Sequence, residues 1–191
     1  LDIIKDRLYT EKADSVARRA AQTTMYYILD ALVKILTPMI SFTAEEIWSA
    51  MNHTKKENVE SPMLADYPVS NDEWDNKEIA EKWEKIIKVK NIVAKDLELA
   101  RAEKTIGNSL DAKVTIYAEG EEYKFLKENE ELIKLVLIVS GLETQENNRK
   151  QEEKLGVKVE HATGEKCERC WMYNDHLEDG LCPRCKEVLE K

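Results

Sequence analysis

Nothing in this 191-residue sequence has the apolar run of about eighteen residues that a bilayer-crossing helix needs, and no apolar leader opens it. A Gly-rich phosphate loop is also missing, and no Ser or Cys sits in a nucleophile motif. The carboxylates are scattered over predicted helix surfaces, so the chain by itself is expected to catalyse nothing. Basic charge is in deficit as well. Lys and Arg number 29 against 38 Asp and Glu, a formal net charge of −9, which is the wrong sign for a protein that coats nucleic acid nonspecifically. Any nucleic-acid contact must therefore be local and geometric. The expectation is a soluble, cytoplasmic, monomeric protein with no membrane partner. The chain starts at Leu1 inside an amphipathic segment, without an initiator Met, as expected of a piece of a larger protein.

Cysteine is absent until position 167, and then four arrive together: Cys167, Cys170, Cys182 and Cys185. They form two C-x-x-C pairs with eleven residues between them. One such turn aims two thiolates at one point, and two turns brought together supply the tetrahedral sulfur set of a closed structural Zn²⁺ site. The gap is shorter than the roughly 15 to 20 residues of a zinc ribbon, so Gly180 and Pro183 are expected to make a tight turn. Disulfides would require an oxidising compartment, for which there is no leader segment. A thioredoxin-like redox site would use one pair, not two. With four sulfurs in place no coordination position is left for water, so one structural zinc ion is the expected cofactor. His161 and His176 are then expected at the surface.

The fold class read from the pattern is mainly α, a helix bundle, followed by a small α+β unit and a C-terminal four-cysteine zinc finger. Its expected parts are a partial helix bundle at 1–80, an α+β junction domain opened by a long helix at 81–160, and a zinc-binding module at 161–191. Met25, Leu29, Leu32, Leu36 and Ile40 recur at helical spacing as a buried stripe. Pro38 should stop that helix near Thr37. Thr43 with Glu46, and Phe42 with Ile47, predict a capped helix start, and the stretch Val69 to Trp74 repeats that grammar. Trp48, Trp74 and Trp83 fall at apolar helical positions and are expected in the core. Gly107 is expected to end the long helix. Strands are predicted at Ala112–Tyr117, Leu137–Val139 and Val157–Val159, with helical spacing over 121–135. The polar run Glu143 to Lys154 reads as a loop or hairpin tip.

Each cysteine pair encloses an arginine, Arg169 or Arg184, and Trp171 follows the first pair. The arginines either offset the excess negative charge of a four-thiolate site or contact phosphates and bases. Trp171 is either the module's one large hydrophobe or a stacking platform. Lys166 lies beside them. Lys5, Arg7, Lys12, Arg18 and Arg19 form the densest basic stretch, nearly cancelled by neighbouring acids. Of these, Lys5, Arg7, Arg18 and Arg19 are the candidates for following an RNA backbone.

Three stretches, in this order, together resemble the C-terminal region of bacterial isoleucyl-tRNA synthetases. The first is Asp2-Ile3-Ile4-Lys5-Asp6-Arg7-Leu8-Tyr9 with Pro38-Met39-Ile40-Ser41-Phe42-Thr43-Ala44-Glu45-Glu46-Ile47-Trp48, which looks like the anticodon-binding bundle. The second runs from Ala100 through Thr105-Ile106-Gly107-Asn108-Ser109 to Val114 and is similar to the family's junction. The third is Gly164-Glu165-Lys166-Cys167-Glu168-Arg169-Cys170-Trp171 with Cys182-Pro183-Arg184-Cys185, similar to its zinc finger. Neither class I signature motif for ATP, His-x-Gly-His or Lys-Met-Ser-Lys-Ser, is present. The resemblance implies part of an enzyme: a tRNA ligase whose catalytic and editing domains lie in cis before Leu1, and which attaches isoleucine to its tRNA with ATP. This part would recognise the anticodon stem-loop of the isoleucine tRNA. Two other readings remain open, a zinc-finger tail of a DNA-binding glycosylase-like protein and a zinc-pinned protein-interaction module.

Overall fold

The computed structural model describes residues 1–53, 59–147 and 155–190. It divides into two compact units, one made of Glu11–Asn76 and the other of Leu1–Thr10 together with Lys77–Lys191. The second unit is thus discontinuous in sequence. The described residues are mainly helical, with a small sheet. No described helix is long and apolar enough to cross a membrane.

In the unit Glu11–Asn76, helix α2 runs from Val16 to Leu36 and α3 from Ser41 to Ala50, α1 belonging to the other unit (Lys5–Thr10). Ser15 caps α2 by accepting the Arg18 N–H at 3.2 Å. The helix stops before Pro38, where Thr37 Oγ1 donates to the Val33 carbonyl at 2.7 Å. The second helix starts earlier than the expected Thr43 cap, because Ile40 and Ala44 already donate to Leu36 and Ile40 and the chain rewinds at once. Thr43 therefore lies inside α3, and Phe42 is 91% exposed instead of stapled to Ile47. The small core here is Val33, Ala44 and Trp48, with Trp48 Nε1 donating to the Val59 carbonyl at 3.0 Å. The expected buried stripe is only partly covered, since Leu29, Leu32 and Ile40 are exposed. Asn71 caps a single 3₁₀ turn, Asp72–Trp74, and not a helix. Trp74 is 65% exposed and leans on Tyr27, with ring centroids 5.1 Å apart.

The other unit is built on the long helix α4, Lys77–Ala102, whose Ile86, Val89, Val93, Leu97 and Ala100 form one buried face. Trp83 lies off that face and is 36% exposed, so of the three tryptophans expected in the core only Trp48 is there. The helix ends through Lys104 in the left-handed region (φ 61°), with Thr105 N–H returning to the Ala100 carbonyl at 2.9 Å. Gly107 is not its terminator. Its N–H instead donates to Asp111 Oδ2 at 3.1 Å, next to a second bond from Asn108 N–H at 2.9 Å.

Strand β1, Ala112–Ala118, is central. The predicted helical stretch is two helices, α5 (Gly120–Glu128) and α6 (Glu130–Leu137), broken at Asn129, whose side chain donates to the Phe125 carbonyl at 2.8 Å. The expected strand at Leu137–Val139 does not form. Ile138 takes a left-handed cap conformation (φ 57°), and the chain turns there into β2, Gly141–Glu146. Part of the run expected to be a loop is therefore a strand, parallel to β1 from Lys113↔Gly141 to Ala118↔Glu146. The rest of that run, from residue 148, lies outside the described residues. β3, Gly156–His161, pairs antiparallel on the other side, giving the order β2-β1-β3. Val114 and Ile116 of β1, with Leu126, Ile133 and Val136 of the two short helices, join the buried face of α4 in one core.

Candidate metal centre

The last segment leaves β3 with no slack. Ala162 N–H donates to the Asp111 carbonyl at 2.7 Å, and Gly164 turns the chain at φ 84°. A Cβ there would lie 2.3 Å from the Asn174 carbonyl oxygen, so only glycine fits. Two-residue strands follow, β4 (Glu165–Lys166) and β5 (Tyr173–Asn174), paired antiparallel. Between them Cys167 N–H bonds to the Met172 carbonyl, and Trp171 N–H to the Cys167 carbonyl, each at 2.9 Å. This closes the first cysteine turn. The second is set by left-handed Asp179 and Gly180, where the tight turn was expected, and by Cys182 at the start of α7, Pro183–Leu189.

These turns bring the four cysteines together. All are buried free thiols, and their sulfurs lie within 4.8 Å of one another. Cys170 Sγ and Cys182 Sγ are 3.8 Å apart, and Cys182 N–H points at Cys167 Sγ from 3.3 Å. Met172, Leu177 and Leu181 pack around them. Burial pushes the Cys167 thiol up, but backbone N–H groups of Cys170, Cys182 and Arg169 outweigh it and leave its pKa at about 6. Burial dominates at Cys170, pushed up to about 12. One sulfur is thus poised to ionise and draw a cation, while Cys170 and Cys182, both raised by burial, would need the cation's charge to do so. The cluster can hold a metal ion, with all four donors being sulfur.

Neither histidine joins it. His161 packs edge-on against Tyr173, centroids 5.0 Å apart, and the exposed His176 uses its N–H on Asn174 Oδ1 at 2.9 Å. The two arginines are half-buried. Arg169 Nη1 donates to the Thr10 carbonyl at 2.7 Å and points at Cys185 Sγ from 3.5 Å. Arg184 makes a two-pronged pair with Asp6, Nη1 to Oδ2 at 2.6 Å and Nη2 to Oδ1 at 2.8 Å. Burial raises the Asp6 carboxyl, yet the Arg184 hydrogen bond and charge hold it below the ordinary carboxylate range, and Asp6 in turn raises Arg184.

Trp171 stands apart: it is 61% exposed and in the left-handed region at φ 64°, which costs a non-glycine residue about 1–2 kcal/mol. Lys166 is exposed, 3.6 Å from Asp111 and over the Tyr173 ring. In the basic stretch, Lys5 is exposed and pairs with Asp2 at 2.7 Å, Arg7 is half-buried in α1, and Arg18 Nη1 donates to the Glu11 carbonyl at 3.1 Å. Arg19 is exposed. The stretch is divided between the two units, Lys5 and Arg7 in one, Arg18 and Arg19 in the other. Asp6 and Thr10, which hold the knuckle arginines, carried no signal in the sequence. Asp111 did, as the last residue of Asn108-Ser109-Leu110-Asp111, a capping box.

Comparison with known proteins gives a consistent result. A family model described as the anticodon-binding domain of tRNA ligase matches residues 1–116. Among curated relatives, the isoleucine–tRNA ligase of Caldicellulosiruptor saccharolyticus is 49% identical over 196 residues, covering all of this chain and 21% of that protein. That of Caldanaerobacter subterraneus subsp. tengcongensis is 46% identical over 204 residues, again covering all of this chain and 22% of that protein. The enzyme of Carboxydothermus hydrogenoformans is 45% identical over 201 residues, with 21% of its length covered. The chain thus spans about a fifth of the length of the curated relatives it matches.

Proposed function

The chain belongs to the anticodon-binding domain family of tRNA ligases, and from that membership we propose that it is the anticodon-recognition part of an isoleucine–tRNA ligase. The observation that carries this is alignment of the whole chain with isoleucine–tRNA ligases at 46–49% identity. The family match favours it over a glycosylase-like tail or a protein-interaction module. In this reading the parent is a monomeric cytoplasmic enzyme that joins isoleucine to its tRNA with ATP, using catalytic and editing domains in cis.

The metal is zinc. A tetrahedral Zn²⁺ with bonds of about 2.3 Å to sulfur separates its ligands by about 3.8 Å, and the Cys170–Cys182 separation is 3.8 Å. When bound, the ion holds the module together without an open coordination site. Loop bases of the anticodon stem-loop stack on Trp171, an aromatic held outward at a conformational cost, with Lys166 beside it. Arg169 and Arg184, engaged on α1, serve by fixing the module's position. Lys5, Arg7, Arg18 and Arg19 follow the stem backbone. The bundle to residue 80, the α+β part at 81–160 and the module at 161–191 divide these tasks.

The test is a titration of the zinc-loaded chain, at fixed salt, with an isoleucine-tRNA anticodon stem-loop and with the same hairpin carrying one exchanged anticodon base. A preference of about 1 kcal/mol or more for the cognate loop, the low end for one read base, is the expected result. Equal binding to both hairpins, or to duplex DNA of the same length, overturns anticodon reading.

A further inference from the structure

Two side chains leave the metal-binding segment and grip the first helix. Each lies inside a cysteine pair, Arg169 between Cys167 and Cys170, Arg184 between Cys182 and Cys185. Helix α1, Lys5–Thr10, has six residues and only Thr10 buried, too little to hold a helix in water by itself. Its final carbonyls have no partner inside the helix. That of Thr10 takes the Arg169 N–H at 2.7 Å, placing a cation where the helix dipole favours one. In the first turn Asp6 is held by both prongs of Arg184 and by Thr10 Oγ1 at 2.9 Å. Both ends of α1 are therefore fastened by the two knuckles. The turn before it, Asp2–Ile4, is anchored separately, because Ile3 packs on the sheet core.

The direction in which each arginine leaves its knuckle is fixed by the cysteines on either side, and those would be fixed by the ion they share in the metal reading above. Their other neighbours are few, since the module's own core is the four cysteines with Met172, Leu177 and Leu181. We infer that metal occupancy at the four cysteines governs the order of α1, with Arg169 and Arg184 as positioning residues that carry the effect from the metal to the helix. This rests on the metal reading above. By linkage, whatever α1 gains from the metal the metal gains from α1, so loosening the clamp weakens metal binding in return.

The test is amide hydrogen exchange at residues 5–10 of the full chain, followed by NMR with Zn²⁺ bound and after chelation. Loss of the ion should lower protection of these amides at least tenfold while those of β1 are unchanged. In the zinc-loaded protein Asp6→Asn should reproduce the loss at full metal content, Asp6→Glu should largely retain protection, and competition with a chelator should show weaker zinc binding by Asp6→Asn. Zinc bound at one per chain with unchanged protection on its removal, or an Asp6→Asn protein indistinguishable from its parent, overturns the clamp alone. A chain that binds no zinc overturns the metal reading and the clamp with it.

Discussion

Ser140 Oγ accepts the backbone N–H of Tyr173 at 2.7 Å while donating to the Leu110 carbonyl at 2.5 Å. One hydroxyl thus joins the cysteine-bearing hairpin to the turn that opens the central strand. The neighbouring Ser140 N–H donates to the Ala112 carbonyl at 3.1 Å, so the joint is continuous with the sheet.

Ser140→Ala leaves the Tyr173 N–H and the Leu110 carbonyl without that partner. The loss should be about 1–3 kcal/mol, the cost of stranding partly buried polar groups. Chemical denaturation would measure it, and a change below about 0.5 kcal/mol would show that the hairpin is held by its other contacts.

Asp111 gives the pH dependence of the same joint. Burial raises its carboxyl, but the Asn108 N–H, the Lys166 charge and the Gly107 N–H together hold it below its ordinary value of 3.8. A carboxylate with a depressed folded pKa stabilises fully above the unfolded pKa, and that stabilisation is lost as pH falls through the folded value. Asp111→Ala should therefore cost about 1–3 kcal/mol at neutral pH, and the gap between variant and parent should close below about pH 4. A gap that stays constant to pH 3 would assign the effect to packing.

Trp171→Gly tests whether folding and the proposed recognition separate at one residue. Its left-handed backbone suits glycine, so Trp171→Gly should leave thermal stability equal or higher, by up to about 1 kcal/mol. Anticodon-hairpin affinity should fall by about 1–3 kcal/mol, the usual contribution of one stacked base. A destabilised variant with unchanged RNA affinity would make Trp171 a structural residue.

The sequence foretold several elements that local chemistry decides, the Pro38 stop, the strand β1 and the two cysteine turns with Gly180 before the second, although the Thr43 cap and the Gly107 stop did not form. It missed where partners far along the chain decide. β2 is polar enough to pass for a loop, and only its parallel pairing with β1 makes it a strand. Leu137–Val139 is apolar enough for a strand, yet Ile138 caps a helix. Arg169 and Arg184 were legible as exceptional from their places in the cysteine pairs, while their partners Asp6 and Thr10 were not, because nothing local marks a residue that is met 159 or 178 positions away.

That separation also orders events in the making of the protein. Helix α1 leaves the ribosome well before Arg184, because 178 positions separate Asp6 from Arg184. The intervening unit, Glu11–Asn76, can collapse on its own small core during synthesis, but the discontinuous unit cannot finish until Arg184 has been made. Closing a loop of that length costs on the order of 4–5 kcal/mol of chain entropy, so docking of Arg169 and Arg184 on α1 is expected to follow formation of the sheet core that Ile3 packs against.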